Sequence, residues 1–179
     1  MALLYHREEL KIPEPEGSDA KEVFAFFGLC SYSAQVLEQG LVNLAVGLRA
    51  LGLSQLTEED FDSLFEKMGR KTLGQLIADV RPYVKVSAEL EQAIVKVLND
   101  RNYIAHTFFV NHDIYFMSDQ GRVKMIDELR LIMQHIRNVD RKLELMTHAL
   151  WQRLGLTKEI FQNELKRMKA EPKQLDKSS

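Results

Sequence analysis

The stretch VFAFFGLCSYSAQVLEQGLVNLAVGLRAL, residues 23–51, decides the fold class because its apolar residues recur with the period of an α-helix. The spacing alternates between four and three residues along the positions Val23, Phe27, Cys30, Ala34, Leu37, Leu41, Leu44, Leu48 and Leu51. This pattern places one apolar stripe along a helix of about eight turns. A cap at Asp19, with Glu22 three residues later, and a stop at Gly52 set its limits. We therefore predict a long helix over about 19–51.

A second stripe with the same spacing predicts another long helix over about 122–154. Its positions are Met125, Leu129, Ile132, Ile136, Val139, Leu143, Met146 and Leu150. A third stripe, which Ser87 can cap, predicts a helix over about 88–110. The pairs Thr57–Asp60 and Thr72–Gln75 are capping boxes that open two shorter helices. The segment NHDIYFMSDQGR, residues 111–122, is rich in turn formers and is predicted to be a loop or a short extended piece.

These patterns together predict an all-α protein, because no stretch alternates with the period of a β-strand. We expect an antiparallel helical bundle that forms a single domain over 19–170. Pro13, Pro15 and Gly17 indicate an irregular N-terminal arm over 1–18. Thr157 can cap a last helix to about 169, and the polar segment 171–179 is predicted to be a flexible tail.

The net charge and the cysteine content indicate which classes of function and which cellular compartment to expect. The chain has 179 residues, a net charge of −2 and a sequence pI near 6.2, which argues against duplex DNA binding by bulk electrostatics. The single cysteine, Cys30, lies on the first stripe and is expected to be a buried thiol in a reducing compartment. The N-terminus is not typical of a signal peptide, and no apolar run approaches the ~20 residues of a membrane span. We expect a cytoplasmic protein without membrane contact.

The third stripe carries an anomaly at Arg101, which occupies a position where the pattern calls for an aliphatic residue. A buried, unpaired guanidinium is costly, so this side chain must be paired, open to a cleft, or placed at a subunit interface. Asn102 and His106 are four residues apart and share one flank of the helix. Arg101 and His106 are separated by ~140° around the axis, yet the long arginine side chain can reach around.

The sequence RNYIAH, residues 101–106, resembles the R-x4–6-H motif of the HEPN superfamily, in which a polar residue follows the arginine. The resemblance covers this motif and a helical-bundle architecture. It implies a metal-independent endoribonuclease, of the kind found in bacterial toxin–antitoxin and defence systems. It also implies a homodimer in which both copies of the motif line one cleft, so that a single protomer supplies half of the site.

The chemistry of RNA cleavage fits these side chains. An imidazole can accept a proton from the 2′-hydroxyl near neutral pH, which is the role we expect for His106. The Arg101 guanidinium would bind phosphate oxygens and the charge that develops on them. Asn102 would orient the histidine or the substrate. We further predict that Tyr103, Phe109 and His112 contact the RNA. The aromatic residues around the motif could stack on bases, although such residues more often belong to the core; they are Tyr103, Phe108, Phe109, Tyr115 and Phe116.

Several alternatives stay open. Arg130–His135 and Arg141–His148 have the same type of spacing, but Leu131 and Lys142 follow their arginines, and neither arginine interrupts an apolar stripe. Arg101 could pair with Asp100 or Glu128, in which case the chain would be a non-catalytic scaffold or regulator that binds a protein or nucleotide partner.

The remaining expectations concern ligands and partners. His106 and His112 are six residues apart, with no cysteine or carboxylate to complete a metal set, so neither a metal nor a cofactor is predicted. The length of the second stripe favours a homodimer, and an RNA substrate and an antitoxin or regulatory protein are candidate partners. The C-terminal segment has a mild positive bias that is more typical of a solvated helix end than of an RNA clamp; its basic residues are Lys166, Arg167, Lys169, Lys173 and Lys177.

Overall fold

The computed structural model describes residues 11–53, 57–156 and 163, and this part of the chain contains six α-helices and no β-strand. The helices are α1 (Ala20–Ala50), α2 (Glu58–Gly69), α3 (Leu73–Val80), α4 (Ala88–His106), α5 (Phe108–Asn111) and α6 (Asp119–Arg153), with a 3-10 turn over Tyr115–Met117. The predicted all-α bundle is confirmed. The predicted last helix, the tail over 171–179 and the first ten residues lie outside the described residues, apart from residue 163.

Side-chain caps fix the helix starts where the sequence predicted them. Asp19 accepts the amide of Glu22 at 2.8 Å, and Ser87 accepts the amide of Leu90 at 3.3 Å. Reciprocal capping boxes are present at Thr57 and Thr72. The Glu22 carboxylate does not close a box with Asp19; it accepts the amide of Glu16 at 2.9 Å. Each cap satisfies an amide that the first turn of a helix leaves without a partner.

The two long helices run in the same direction. At one end, Arg122 of α6 donates its Nε hydrogen to the carbonyl of Ser18, just before α1, at 2.6 Å. At the other end, Gly47 of α1 lies against Leu150 and Trp151 of α6. The α1 and α6 stripes therefore face each other along their whole length as a parallel pair.

Helix α4 runs antiparallel to both long helices. Its Asp100 meets His135 of α6 at 3.2 Å, and His112, just beyond α4, meets Glu128 at 2.6 Å. The first half of α4 lies beside the second half of α1, where Ile94 and Leu44 line one small cavity. Helix α4 is thus antiparallel to each long helix, as predicted from the sequence. The two long helices are parallel to each other, which the sequence did not predict.

Two predicted boundaries were wrong. Helix α4 ends at His106 and not near 110, because the Thr107 hydroxyl donates to the carbonyl of Tyr103 at 3.3 Å and the backbone of Thr107 leaves the helical range. Helix α6 begins at Asp119 and not near 122, because the Ser118 hydroxyl caps the amide of Gly121 at 3.1 Å. The segment between them, predicted as loop or extended, contains the short α5 and the 3-10 turn.

The hydrophobic core lies mainly between α1 and α6. Helix α2 covers one end of it, where Phe61 and Phe65 stack on Trp151 with ring centroids 5.8 and 6.5 Å apart. Cys30 is fully buried in this core. Burial first, and then the nearby negative charge of Asp100, raise the pKa of the Cys30 thiol to about 12. Cys30 therefore stays a neutral apolar side chain at physiological pH, as expected.

The described part of the N-terminal arm, residues 11–18, has no regular secondary structure and lies against α6. Arg130 of α6 pairs with Glu14 at 2.5 Å, and Ile12 packs on the core. None of the helices within the described ranges has the length and apolar character needed to cross a bilayer.

A matched pair of glycine substitutions tests the packing of the segment before α6. A Cβ atom at Gly121 would lie 2.0 Å from the carbonyl oxygen of Tyr115, whereas a Cβ at Gly28 on α1 meets nothing within 4 Å. We expect Gly121→Ala to lower the free energy of unfolding by about 1–3 kcal/mol, because the backbone must shift. Gly28→Ala should raise it by about 0.5–1 kcal/mol, since alanine is the better helix former. Urea unfolding followed by circular dichroism measures the free energy of unfolding of both variants. Equal changes in the two variants would contradict the close approach of Gly121 to the Tyr115 backbone.

Candidate functional site

The predicted catalytic residues occupy the last two turns of α4. His106 is the final residue of the helix, and both His106 and Asn102 are exposed on the same flank. The half-buried Arg101 turns toward that flank, because its Nη1 hydrogen is donated to Asn102 Oδ1 at 3.4 Å. The guanidinium therefore lies beside Asn102, which shares a flank of α4 with His106.

The two carboxylates considered as partners for Arg101 are engaged elsewhere. Asp100 accepts from Lys96 at 3.0 and 3.1 Å and contacts His135 Nδ1 at 3.2 Å. Glu128 contacts His112 Nε2 at 2.6 Å. Among the described residues, Arg101 forms no ion pair with either carboxylate, so its donors remain available to an anion.

Next to the motif, Tyr103, His112 and Glu128 form a hydrogen-bonded cluster that joins α4 to α6. His112 Nε2 lies 2.6 Å from Glu128 Oε2 and 3.3 Å from the Tyr103 hydroxyl. The His112 side chain is only 13% exposed, and its Nδ1 atom is buried without a hydrogen-bond partner in the part of the chain that the structure describes. The ring also meets Phe108 edge-on, with centroids 4.7 Å apart. Both ring nitrogens therefore point into the protein.

The electrostatics of this cluster keep Tyr103 protonated. Burial, followed by the hydrogen bond and negative charge of Glu128, raises the pKa of Tyr103 to about 12, while a hydrogen bond with Asn111 acts in the opposite direction. The folded state therefore holds the phenolic proton more tightly than the unfolded chain. Its contribution to stability is complete below the ordinary pKa near 10 and is lost as the pH rises toward 12.

Phe109, the third predicted substrate contact, belongs to an aromatic cluster. Its ring lies 4.8 Å from Phe27, 5.6 Å from Phe24 and 6.1 Å from Phe116. Sequence reasoning missed Phe24, which falls off the apolar stripe of α1 and is 52% exposed. It also missed Glu128 as the partner of His112, since nothing local in the sequence joins residues sixteen positions apart.

The competing arginine–histidine pairs have different surroundings. Arg130 is bound to Glu14, and His135 is bound to Asp100, so the first pair is occupied by other partners. Arg141 and His148 are exposed on the second half of α6, on the helix face away from the core. Among the described residues, the pair in α4 and the pair Arg141–His148 both have an exposed imidazole and a guanidinium without an ion pair; the α4 pair differs in the asparagine that follows its arginine.

No metal site is found in the described ranges, where no three histidine, cysteine, aspartate or glutamate side chains gather closely enough to hold an ion. Comparison with known proteins adds no assignment: no protein-family model, no curated protein and no solved structure matches the chain.

Two histidine substitutions separate the internal cluster from the exposed motif. We expect His112→Ala to lower the free energy of unfolding by about 1–3 kcal/mol, because Glu128 and Tyr103 lose their shared partner beside a buried ring. His106→Ala is the matched control and should change it by less than about 0.5 kcal/mol, since His106 is exposed. Urea unfolding at pH 7 gives both values. A large effect of His106→Ala would show that this side chain has a structural role.

Proposed function

We propose that this chain is a HEPN-like, metal-independent endoribonuclease that cleaves RNA through attack of the 2′-hydroxyl. The active unit is a homodimer in which two copies of the α4 motif face one cleft. A cytoplasmic location and a toxin–antitoxin or defence role, with an antitoxin as protein partner, belong to the same proposal. It rests on the resemblance of residues 101–106 to the HEPN motif and on the surroundings of those residues.

The observation that carries the proposal is that Arg101 forms no ion pair among the described residues. The two carboxylates considered as its partners, Asp100 and Glu128, are bound to other groups. The guanidinium instead turns to Asn102, on the flank that carries His106. A cation and an exposed imidazole in the last two turns of one helix are the types of group that phosphodiester cleavage requires.

In the proposed reaction, His106 removes the proton of the 2′-hydroxyl, and the oxygen attacks the adjacent phosphorus. Arg101 binds the non-bridging oxygens as negative charge builds on them. The bond from phosphorus to the 5′-oxygen breaks, and the second copy of the motif donates a proton to that leaving oxygen. The products are a 2′,3′-cyclic phosphate and a 5′-hydroxyl, and no metal takes part in any step.

A second candidate is a non-catalytic regulator that uses the same end of the bundle to bind a protein. The observation in its favour is a group of exposed apolar side chains just after α4, among them Val110, Ile114 and Met117. Exposed apolar groups of this kind mark binding surfaces more often than catalytic ones. The two candidates differ in whether RNA is cut.

Incubation of the purified chain with single-stranded RNA in EDTA tests the proposal. We expect the wild-type chain to cleave it and leave cyclic phosphate ends. His106→Ala should reduce the rate by about 10²–10⁴-fold, because the general base is lost. Arg101→Lys should retain part of the activity that Arg101→Ala loses, since it keeps the charge but not the planar fork.

The matched control is His148→Ala, which removes an exposed histidine from α6 and should leave the rate unchanged. Equal cleavage by the wild-type chain and His106→Ala would assign the activity to another protein in the preparation. Inactivity of a folded wild-type dimer on all RNAs tried would favour the regulator.

A further inference from the structure

One end of the bundle carries a group of exposed apolar side chains, which we call the distal patch and define as Phe24, Val110, Ile114, Tyr115 and Met117. The side chains of Val110, Ile114 and Met117 are 73, 75 and 80% exposed, and those of Phe24 and Tyr115 are 52 and 45% exposed. Ile114 and Met117 share a turn hydrogen bond, and the Phe24 ring lies 5.5 Å from that of Phe116. Apolar surface of this kind marks an interaction site.

The surroundings of the distal patch are acidic. Residues 11–24 and 113–127, which form this end of the bundle, contain seven acidic and four basic side chains. Two of the four basic side chains already interact with neighbouring groups at this end of the bundle. Arg122 is bonded to Asp119 and to the carbonyl of Phe116, and Lys124 lies over the Tyr115 ring, 5.4 Å from its centroid. The complementary partner is therefore a segment with an apolar face and basic flanks, and not the phosphate backbone of RNA.

The chain itself contains such a segment. Residues 157–170, TKEIFQNELKRMKA, place Ile160, Phe161, Leu165 and Met168 at helical spacing on one face. The same stretch carries four basic and two acidic residues. Its pattern matches the distal patch in both respects: apolar residues for the centre and basic residues for the acidic rim.

The segment of the same copy is too far away to bind there. The distal patch lies at the start of α6, and the segment follows the end of this 35-residue helix, about 50 Å away. The four residues from Leu156 to Ile160 span at most about 14 Å, and a helix over the apolar face adds about 12 Å. We therefore infer that residues 157–170 of one copy dock on the distal patch of a second copy. In a two-fold symmetric pair, each copy gives one segment and receives one.

This docking goes beyond the proposed nuclease function and does not require it. It would place a segment of the second copy close to the motif, because Val110 follows His106 by only four residues. Docking of the segment without RNA cleavage is a distinct outcome from RNA cleavage without docking. Cross-linking and oligomeric state test the docking, whereas RNA cleavage tests the nuclease.

Disulfide cross-linking between two differently tagged full-length chains tests the contact directly. One chain carries Met117→Cys and the other carries Met168→Cys; the native Cys30 is buried and does not interfere. After mixing and mild oxidation, we expect a disulfide between the two chains. A mixture of Leu145→Cys with Met168→Cys is the control, because Leu145 is 67% exposed on α6 far from the patch. Cross-linking no stronger than in the control would overturn the inference.

A substitution in the patch gives an independent measurement. We expect Ile114→Asp with Met117→Asp to weaken self-association of the full chain at least tenfold, measured by light scattering over a concentration series. Leu145→Asp should leave it unchanged. Circular dichroism checks that the variants fold, which the exposure of these side chains favours. A monomeric wild-type chain, or a dimer indifferent to the patch substitutions, would overturn the inference. In the second case the copies associate through another surface.

Discussion

The parallel packing of α1 on α6 is the constraint on which the rest of the structure depends. The two apolar stripes bury each other from Ser18 and Arg122 at one end to Gly47 and Trp151 at the other. Two parallel helices cannot be joined by a short turn, so the chain must cross back along the bundle. Helix α4 makes that return, and its end therefore lies beside the starts of both long helices. This topology, and not any local feature, places the motif at one end of the bundle.

Fixing the end of α4 to α6 also decides the electrostatics of the motif. His112 pairs with Glu128, and both Lys96 and His135 pair with Asp100. Among the described residues, neither carboxylate forms an ion pair with Arg101. The internal cluster joins the end of α4 to α6, and Arg101 lies outside this cluster.

The features that could be predicted from the sequence are those that depend on residues close together in the chain. Stripe spacing and capping residues depend on neighbours within four positions, so the helices and their starts at Asp19, Thr57, Thr72 and Ser87 could be placed correctly. The relative direction of the long helices could not, because a stripe has the same pattern in either direction. The end of α4 coincides with a non-helical backbone conformation at Thr107, which the spacing of the stripe does not reveal. The partners of Asp100 and Glu128 come from other helices. The roles of Arg101, Asn102 and His106 stay predictions.

The number of proton transfers argues that one protomer is not sufficient for the proposed chemistry. The attacking 2′-hydroxyl must lose a proton and the leaving 5′-oxygen must gain one, on opposite sides of the phosphorus. In the described part of one chain, the motif contains one imidazole, that of His106; His112 and His135 are bound to carboxylates, and His148 lies on the second half of α6. A single motif therefore supplies the base or the acid, but not both at once. Pairing two copies provides the second imidazole without any new residue type, so dimerisation would switch the activity on as well as assemble the site.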